Sequence, residues 1–556
     1  MIRRQKFRII SVSFIVIVGF CLNLNLGYFN KASSKIYTYD QKLSSLKTSG
    51  TYENITIDTL SWNNWTWAES QEWCSGQGSL QNPYIIQGHT FGIDNFKDGI
   101  KINNSKEKYF IIQECIFLWD GTIHGGSETG ISILNSTRGT ILNNSIHGMS
   151  LGIHIDECEQ IKMVNNRLYS MMTGISVYHS EYCTIDNNTV SQISISGIYL
   201  SNCEQNTVKN NMVYDCDYGI RLSNSDDIKV FRNTAHDNVI AGIKLEFSDF
   251  NNITDNDSRG NLVDGIHLEE ECDNNTLDFN DFSNNNVGIE MYYSDFNTIT
   301  ENIAKNNQYY GIRLEVCENN TVTKNLFKNN TQYGAFIEMG SHNNSFSENY
   351  FLQNGVHAFN EGLNCSWNSS TIGNYWDNHT APDVSPQDGI VDAPYTYISG
   401  SSESIDYLPI AEDGAPRIII HSPTGSSSIG SDAPTLIVEV TDATPLEMWY
   451  SLDGGLHNYT FYYIEIHYYL FTQFAGVVYQ SAWDALPDGS VTIRFYASDV
   501  AGNEAFEEVT VIKSTSPGDT PEGLDPGLLI FIVVISIVGG IAIIAVAYIF
   551  LKKRRV

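Results

Sequence analysis

The chain has 556 residues, with 64 Asp+Glu against 32 Lys+Arg and a formal charge of −32. A surface this acidic repels phosphate at long range and lacks the basic patches that grip a polyanion, which excludes nucleic acid as a partner. Charged residues make up only 17% while Gly reaches 43 and Asn is abundant, a profile that favours turn-dense all-β architecture over helical bundles.

The N-terminus is a basic stretch, MIRRQKFR, followed by the apolar run from Ile9 to Gly27. This order predicts a secretion signal over 1–32, cut near Ala32; the absence of an A-x-A site leaves an uncleaved anchor as the alternative. Residues 33–98 are expected to hold an N-terminal cap and entry strands. From Gly99 a motif Gly-Ile-x-aliphatic begins (GIKI). It returns at Gly130, Gly152, Gly174, Gly197, Gly219, Gly242, Gly265, Gly288 and Gly311, and as GAFI at Gly334, in steps of 22 or 23 residues after Gly130. Such regularity is a structural period. An Asn runs in phase with it: Asn144, Asn166, Asn188, Asn211, Asn233, Asn256, Asn280, Asn302, Asn325 and Asn349. Each repeat has short β-prone segments between Asn/Asp/Gly turns and no apolar residues at helical spacing, so a coil of strands and turns is predicted over 99–354, with about eleven rungs. Equivalent residues of such a coil stack about 4.8 Å apart, so one Asn per rung can bond the Asn above and below. A leucine-rich repeat would need Leu at offsets where none stands.

The pattern GIxL followed by NNT turns resembles the repeats of NosD-like proteins, in the pectin-lyase-like superfamily of right-handed parallel β-helices known as the carbohydrate-binding and sugar-hydrolase fold. The resemblance runs from about Pro83 to Pro409. It includes an entry strand (Trp73 to Ile86) and a closing segment, GNYWDN to IDYLPI (Gly373 to Ile410), within a C-terminal cap over 355–414. It is specific for fold and weakly so for activity. Relatives of this layout occur on archaeal cell surfaces, which implies an envelope role.

If Ile and the aliphatic residue face inward, the residues between and after them form outward columns. One column contains His154, Ser176, Tyr199, Arg221, Lys244, His267, Glu290 and Arg313; its neighbour contains Asp156, Tyr178, Ser201, Ser223, Glu246, Glu269, Tyr292, Glu315 and Glu338. Tyr178, Tyr199, His267, Tyr292, Arg313 and Glu315 are the candidate ligand-binding residues, the tyrosines by stacking on sugar rings. Glu246 and Glu269 fall on adjacent rungs with carboxyls expected about 5 Å apart, the separation of retaining glycosidases, where mutual repulsion raises one pKa. Arg221 and Lys244 are the cations a lyase would use. Against catalysis stands a solvated charge ladder in which Arg221, Lys244 and Arg313 neutralise the Glu column; no polygalacturonase-like set of N-x-D, DD, GHG and RxK is present.

Asp383, Ser385, Asp388 and Asp392 in DVSPQDGIVD resemble loops whose alternating oxygens enclose Ca²⁺, with one extra residue between the first and middle Asp. No other cofactor is required, and copper, which the family name suggests, finds no Met or His cluster. Of ten Cys, Cys158, Cys203 and Cys317 share one repeat position with Ser225, Ser248 and Ser294, which predicts buried thiols; Cys74, Cys115 and Cys365 are expected to be freer. After Pro416, alternating runs predict an immunoglobulin-like sandwich over 415–514. A Pro/Gly/Asp-rich stalk follows over 515–526. Gly527 to Leu551 is a 25-residue run without a charge, long enough to span a bilayer, and the tail 552–556 carries Lys552, Lys553, Arg554 and Arg555, which the positive-inside rule keeps in the cytoplasm. The whole reads as a single-pass cell-surface protein. Its leading role is binding carbohydrate or another envelope polymer; a polysaccharide lyase or glycoside hydrolase is second, and a structural envelope component third.

Overall fold

Each repeat folds as one turn of a parallel β-solenoid because its residues alternate between two demands. Ile, Val and Leu fill the short strands, and Asn, Asp and Gly take the corners. In the computed structural model of the chain, the described residues are 51–52, 54–93, 98–119, 128–384, 389–411, 414–441, 445–460, 472–499 and 503–515. The signal 1–32, the stalk beyond Thr515, the apolar run 527–551, the tail 552–556, and Ser385 and Asp388 lie outside them. Among the described residues no helix is long and apolar enough to cross a membrane.

The solenoid has about twelve turns. One long parallel sheet carries the Gly-Ile strands, with Ile153, Ile175, Ile198, Ile220, Ile243, Ile266 and Ile289 in register from turn to turn. All seven are fully buried. A second sheet runs from Cys74–Ser75 and Tyr84–Gln87 to Ser345–Ser347. The coil begins before Gly99, since Ile55–Asp58 already pairs in parallel with Ile100–Asn103. The repeat glycine is required by close approach: a Cβ on Gly288 would sit 2.6 Å from the Gly311 carbonyl oxygen one turn on.

The Asn ladder runs unbroken from Asn144 to Asn374. Each Nδ2 donates to the Oδ1 of the Asn one turn on, as from Asn233 to Asn256 at 3.0 Å, and to a carbonyl one turn back, as from Asn233 to Val208 at 2.9 Å. Asn374 ends it on Asp406, whose buried carboxylate also accepts from Trp376 Nε1 at 2.9 Å. Two further Asn stacks that the sequence reading did not separate line the other corners. One runs from Asn251 through Asn275, Asn297 and Asn320 to Asn344; the other runs from Asn238 through Asn261, Asn285, Asn307 and Asn330 to Asn354. Buried backbone amides that a corner would otherwise orphan are thereby satisfied.

Aromatic residues close the coil. At the start, the Asn64 side chain caps the helix Trp65–Glu69, and Trp65 stacks on Tyr84 at 4.5 Å. At the other end Phe351, Trp376 and Tyr395 stack at 4.4 and 4.1 Å. Beyond Arg417 two β-sheets, one of three strands and one of five, enclose a separate core around Leu436, Val438, Tyr450, Trp483 and Phe495.

None of the nine described cysteines is in a disulfide. Cys158, Cys203 and Cys317 stack with serines as expected, Cys158 N donating to Ser180 Oγ at 2.9 Å. Cys74 and Cys115, expected to be freer, are instead buried, and only Cys365 among the described cysteines is partly exposed. The first two belong to the entry turns, whose interior they help fill.

Candidate functional site

The Gly-Ile strands hold their outward side chains in register. Tyr199, Arg221, Lys244, His267, Glu290, Arg313 and Phe336 form one column, and Ser223, Glu246, Glu269, Tyr292 and Glu315 the next. The residue before each glycine adds a third column of Tyr218, Ala241, Asp264, Val287, Tyr310 and Tyr333. A parallel ladder thus sets three columns side by side on one face.

Two ion-pair clusters occupy its middle. Glu246 accepts from Arg221 at 3.0 and 2.6 Å and from Lys244 at 2.9 Å, and Lys244 reaches Glu269 at 2.5 Å. The expected repulsion between Glu246 and Glu269 is therefore absent, because Lys244 lies between them. Burial alone would raise the Glu246 pKa, but the bonds from Arg221 and Lys244 outweigh it and hold the carboxyl below its ordinary value. That is the wrong direction for a general acid. Arg313 forms the second cluster, with Glu290 at 2.6 Å, Glu315 at 2.7 Å and Glu338 at 2.5 Å.

Glu290 stands on the outward column yet is only 7% exposed. Burial pushes its carboxyl up to about 8, against the pull of Arg313 and with help from Asp264. His267 Nδ1 donates to Asp264 Oδ2 at 2.9 Å; burial works against its cationic form, but the Asp264 carboxylate prevails and raises its pKa. Alternation marks Glu290 as outward but does not reveal that its neighbours cover it.

Aromatic groups flank the charged middle. On one side Tyr178 meets Tyr199 edge-on at 5.6 Å, and the Arg221 guanidinium lies 5.2 Å from the Tyr199 ring and 5.1 Å from Tyr218. On the other, Tyr310 stacks on Phe336 at 4.9 Å and Phe336 on Phe359 at 4.9 Å. Tyr292 sits between, in edge contact with Tyr293 at 4.4 Å. All six candidate ligand residues, Tyr178, Tyr199, His267, Tyr292, Arg313 and Glu315, thus lie on the one face, together with Arg221, Lys244, Glu246 and Glu269. Tyr218, Tyr310, Phe336 and Glu290 join them.

The Asp383–Asp392 loop is separate. Asp383 Oδ2 accepts from Gly389 N at 2.9 Å and Asp392 Oδ2 from Val384 N at 2.8 Å. With Ser385 and Asp388 outside the described residues, no group of three or more metal-ligating side chains is present among the described residues.

Residues 83–241 and 223–381 each match the family model described as periplasmic copper-binding protein (NosD), together more than half of the chain. No curated protein matches. Similar solved structures include a periplasmic alginate epimerase (15% identity, 57% of this chain and 84% of that one, TM-score 0.37). The A-module of mannuronan C-5 epimerase from Azotobacter vinelandii matches at 14% identity over 57% of this chain and 89% of that one, TM-score 0.37. DFA-IIIase from Arthrobacter chlorophenolicus matches at 12% over 54% and 94%, TM-score 0.36.

Copper does not fit the side chains described. The buried thiols are bonded to carbonyls, as Cys158 Sγ to Ile133 O at 3.4 Å, and burial pushes that thiol up to about 12, away from the thiolate a metal takes. His267 and His357 each pair with one carboxylate, Asp264 and Asp377, and no three Cys, His, Asp or Glu side chains gather as ligands among the described residues. With the family model matched over more than half of the chain, and the matched repeats folded as a parallel β-solenoid, the chain belongs to the NosD family.

Proposed function

We propose that this chain is a cell-surface protein whose solenoid face binds an extended carbohydrate chain. The observation that carries the reading is the layout of the face, a polar, charged strip with aromatic rings at both ends. From Tyr199 to Phe336 is six turns, about 29 Å, the length of an oligosaccharide rather than a single sugar. Rings stack on the apolar faces of sugars, and paired Arg, Lys and Glu side chains bond hydroxyls without net charge. Arg221, Lys244 and Arg313 are each already paired with carboxylates, and the chain carries −32 overall, which favours a neutral polymer over a uronate. Attachment to a membrane through 527–551, with the solenoid outside, follows from that run and the basic tail. The two-sheet module beyond Arg417 serves in this reading as an immunoglobulin-like spacer.

The test incubates the full-length chain with neutral and uronate polysaccharides, with and without Ca²⁺, and scores retention and new chain ends. Retention of a neutral polymer without new ends, lost in Arg313→Ala, is expected; Ca²⁺ dependence would bring the Asp383–Asp392 loop into the reading. No retention across the panel overturns it in favour of a structural envelope role.

A second reading, acid–base turnover, rests on Glu290, a buried carboxyl whose pKa burial raises, beside Arg313 and the His267–Asp264 pair. New chain ends abolished by Glu290→Gln would place it first.

A further inference from the structure

The corner that follows the face strand holds a non-glycine residue in the left-handed region in each turn from Asn135 to Val316. Asn202 and Asn224 take it at φ 52° and 48°, as Asn does at little cost; the following turns place Phe247, Glu270, Tyr293 and Val316 there, at φ 48°, 58°, 49° and 55°. Three residues on, or four after Glu270, a second left-handed position carries Asp227, Phe250, Asn274, Phe296 and Asn319. A bulky ring in this conformation is an outlier whose strain needs a return. Burial does not supply it: Phe247, Phe250, Tyr293 and Phe296 are 44%, 58%, 42% and 55% exposed.

The rings come on alternate turns. The segments Phe247-Ser248-Asp249-Phe250-Asn251 and Tyr293-Ser294-Asp295-Phe296-Asn297 repeat one motif two turns apart, while the turn between them carries Glu270, Glu271 and Asn274, and the turn after them Val316 and Asn319. Two turns are about 10 Å. That is close to the length of a disaccharide in an extended, equatorially linked chain. The ridge also adjoins the face: Phe247 follows Glu246, and Tyr293 meets the face residue Tyr292 edge-on at 4.4 Å.

We propose that Phe247, Phe250, Tyr293 and Phe296 form an aromatic rim that stacks on every second sugar of a polysaccharide lying along the solenoid axis, fixing its register by disaccharides. This rests on the carbohydrate-binding reading of the face and names its ligand as an extended chain with a two-sugar repeat of contacts. The exposed Glu270 and Glu271 between the rings suit hydroxyl groups, which they accept from, and oppose a lipid surface or an apolar protein patch, where they would lose their hydration unpaired.

The test measures affinity of the full-length chain for β-1,4-linked gluco-oligosaccharides of two to eight sugars, alongside thermal unfolding. In the unaltered chain affinity is expected to rise in one step, between two and four sugars, where the oligosaccharide becomes long enough to reach both ring pairs. Phe247→Asn with Tyr293→Asn, which restores the residue that Asn202 and Asn224 already use, is expected to lower affinity about tenfold and remove the step while Tm holds or rises. Val316→Asn, on the turn after Tyr293, keeps the step. Undiminished affinity in the double variant, or a smooth climb with every sugar, overturns the proposal even if Arg313→Ala abolishes binding. No oligosaccharide binding by the unaltered chain would overturn the face reading and this one with it. A change of oligomeric state in the double variant, with sugar affinity intact, would assign the rim to a second copy of the chain and overturn it likewise.

Discussion

The turns from Gly130 to Tyr178 and those from Gly219 to Glu338 share one interior and differ outside it. Inside, Ile153 and Ile175 occupy the places of Ile266 and Ile289, and a single Asn ladder threads both halves. Outside, the early turns present Ser132, His154 and Ser176, with His154 and Ser176 sharing a hydrogen bond at 3.0 Å, where the later ones present Lys244, His267, Glu290 and Arg313. The early turns also include strands such as Arg167–Tyr178 that run through the third corner unbroken. From Thr234 on, an Asn corner separates Thr234–His236 from Ala241–Glu246. A coil turn that folds with Ser and His on its outer face has no need of a desolvated ion-pair strip, which costs hydration to assemble. The repeat itself therefore does not require the charges that the later half carries.

The largest expected effect tests the shared interior. Asn256 accepts from Asn233 N and Nδ2, each at 3.0 Å, and donates to Val230 O at 2.9 Å. Asn256→Ala leaves these groups buried without partners and is expected to cost about 2–4 kcal/mol in denaturant unfolding. Asn166→Ala, in the early half with the equivalent bonds, should cost the same within error. A large gap between the two would show that the halves differ inside as well as out.

The next effect is confined to the later half. The Glu290 carboxyl ordinarily titrates at 4.5 and stands at about 8 when folded, raised by burial and Asp264 against Arg313 and His267. Between those values the folded chain binds the extra proton, so its stability is highest at low pH, falls as pH rises through about 8, and then levels. Glu290→Gln should remove this fall and gain about 1–3 kcal/mol over the native residue at pH 9, with little change at pH 5. Hydrogen exchange locates it: protection of 287–292 should drop from pH 5 to pH 9 in the unaltered chain, while that of 174–178 tracks only the intrinsic exchange rate. Equal drops in both would spread the effect over the coil.

How much of this could be read from residues alone follows the same inside–outside division. The repeat glycine and the Asn from Asn144 to Asn349 recur because each answers a steric or hydrogen-bonding demand made once per turn, and demands of that kind leave a period. The stacks through Asn251 and Asn238 answer the same demand at the same 22- to 24-residue spacing, but several of their members sit in Asn-Asn doublets, such as Asn274-Asn275 and Asn319-Asn320, in which either Asn could be the buried one. The outward columns were legible as columns. What they do was not: Lys244 lying between Glu246 and Glu269, and the cover over Glu290, depend on which rotamers neighbouring turns allow. No spacing along the chain encodes that.

The smallest expected effect is none at all, and it sharpens the comparison where the family's description would blur it. A copper site would need soft or imidazole donors gathered from at least three positions. The coil holds its thiols in columns instead: Cys158 and Cys203, two turns apart with Ser180 between them, and Cys317 farther along with Ser294 and Ser341 on either side. Burial raises all three, Cys203 to about 11 and the other two to about 12, so neither half offers a thiolate at neutral pH. Copper at a few equivalents should therefore leave Tm unmoved, and a native-state thiol reagent should reach Cys365 ahead of the other described cysteines. A rise in Tm of several degrees at one equivalent would mean that copper binds the folded form preferentially and that a site has been assembled from donors the coil here keeps apart. Denaturing the chain first should abolish the selectivity for Cys365, since the protection comes from packing and not from the thiols themselves.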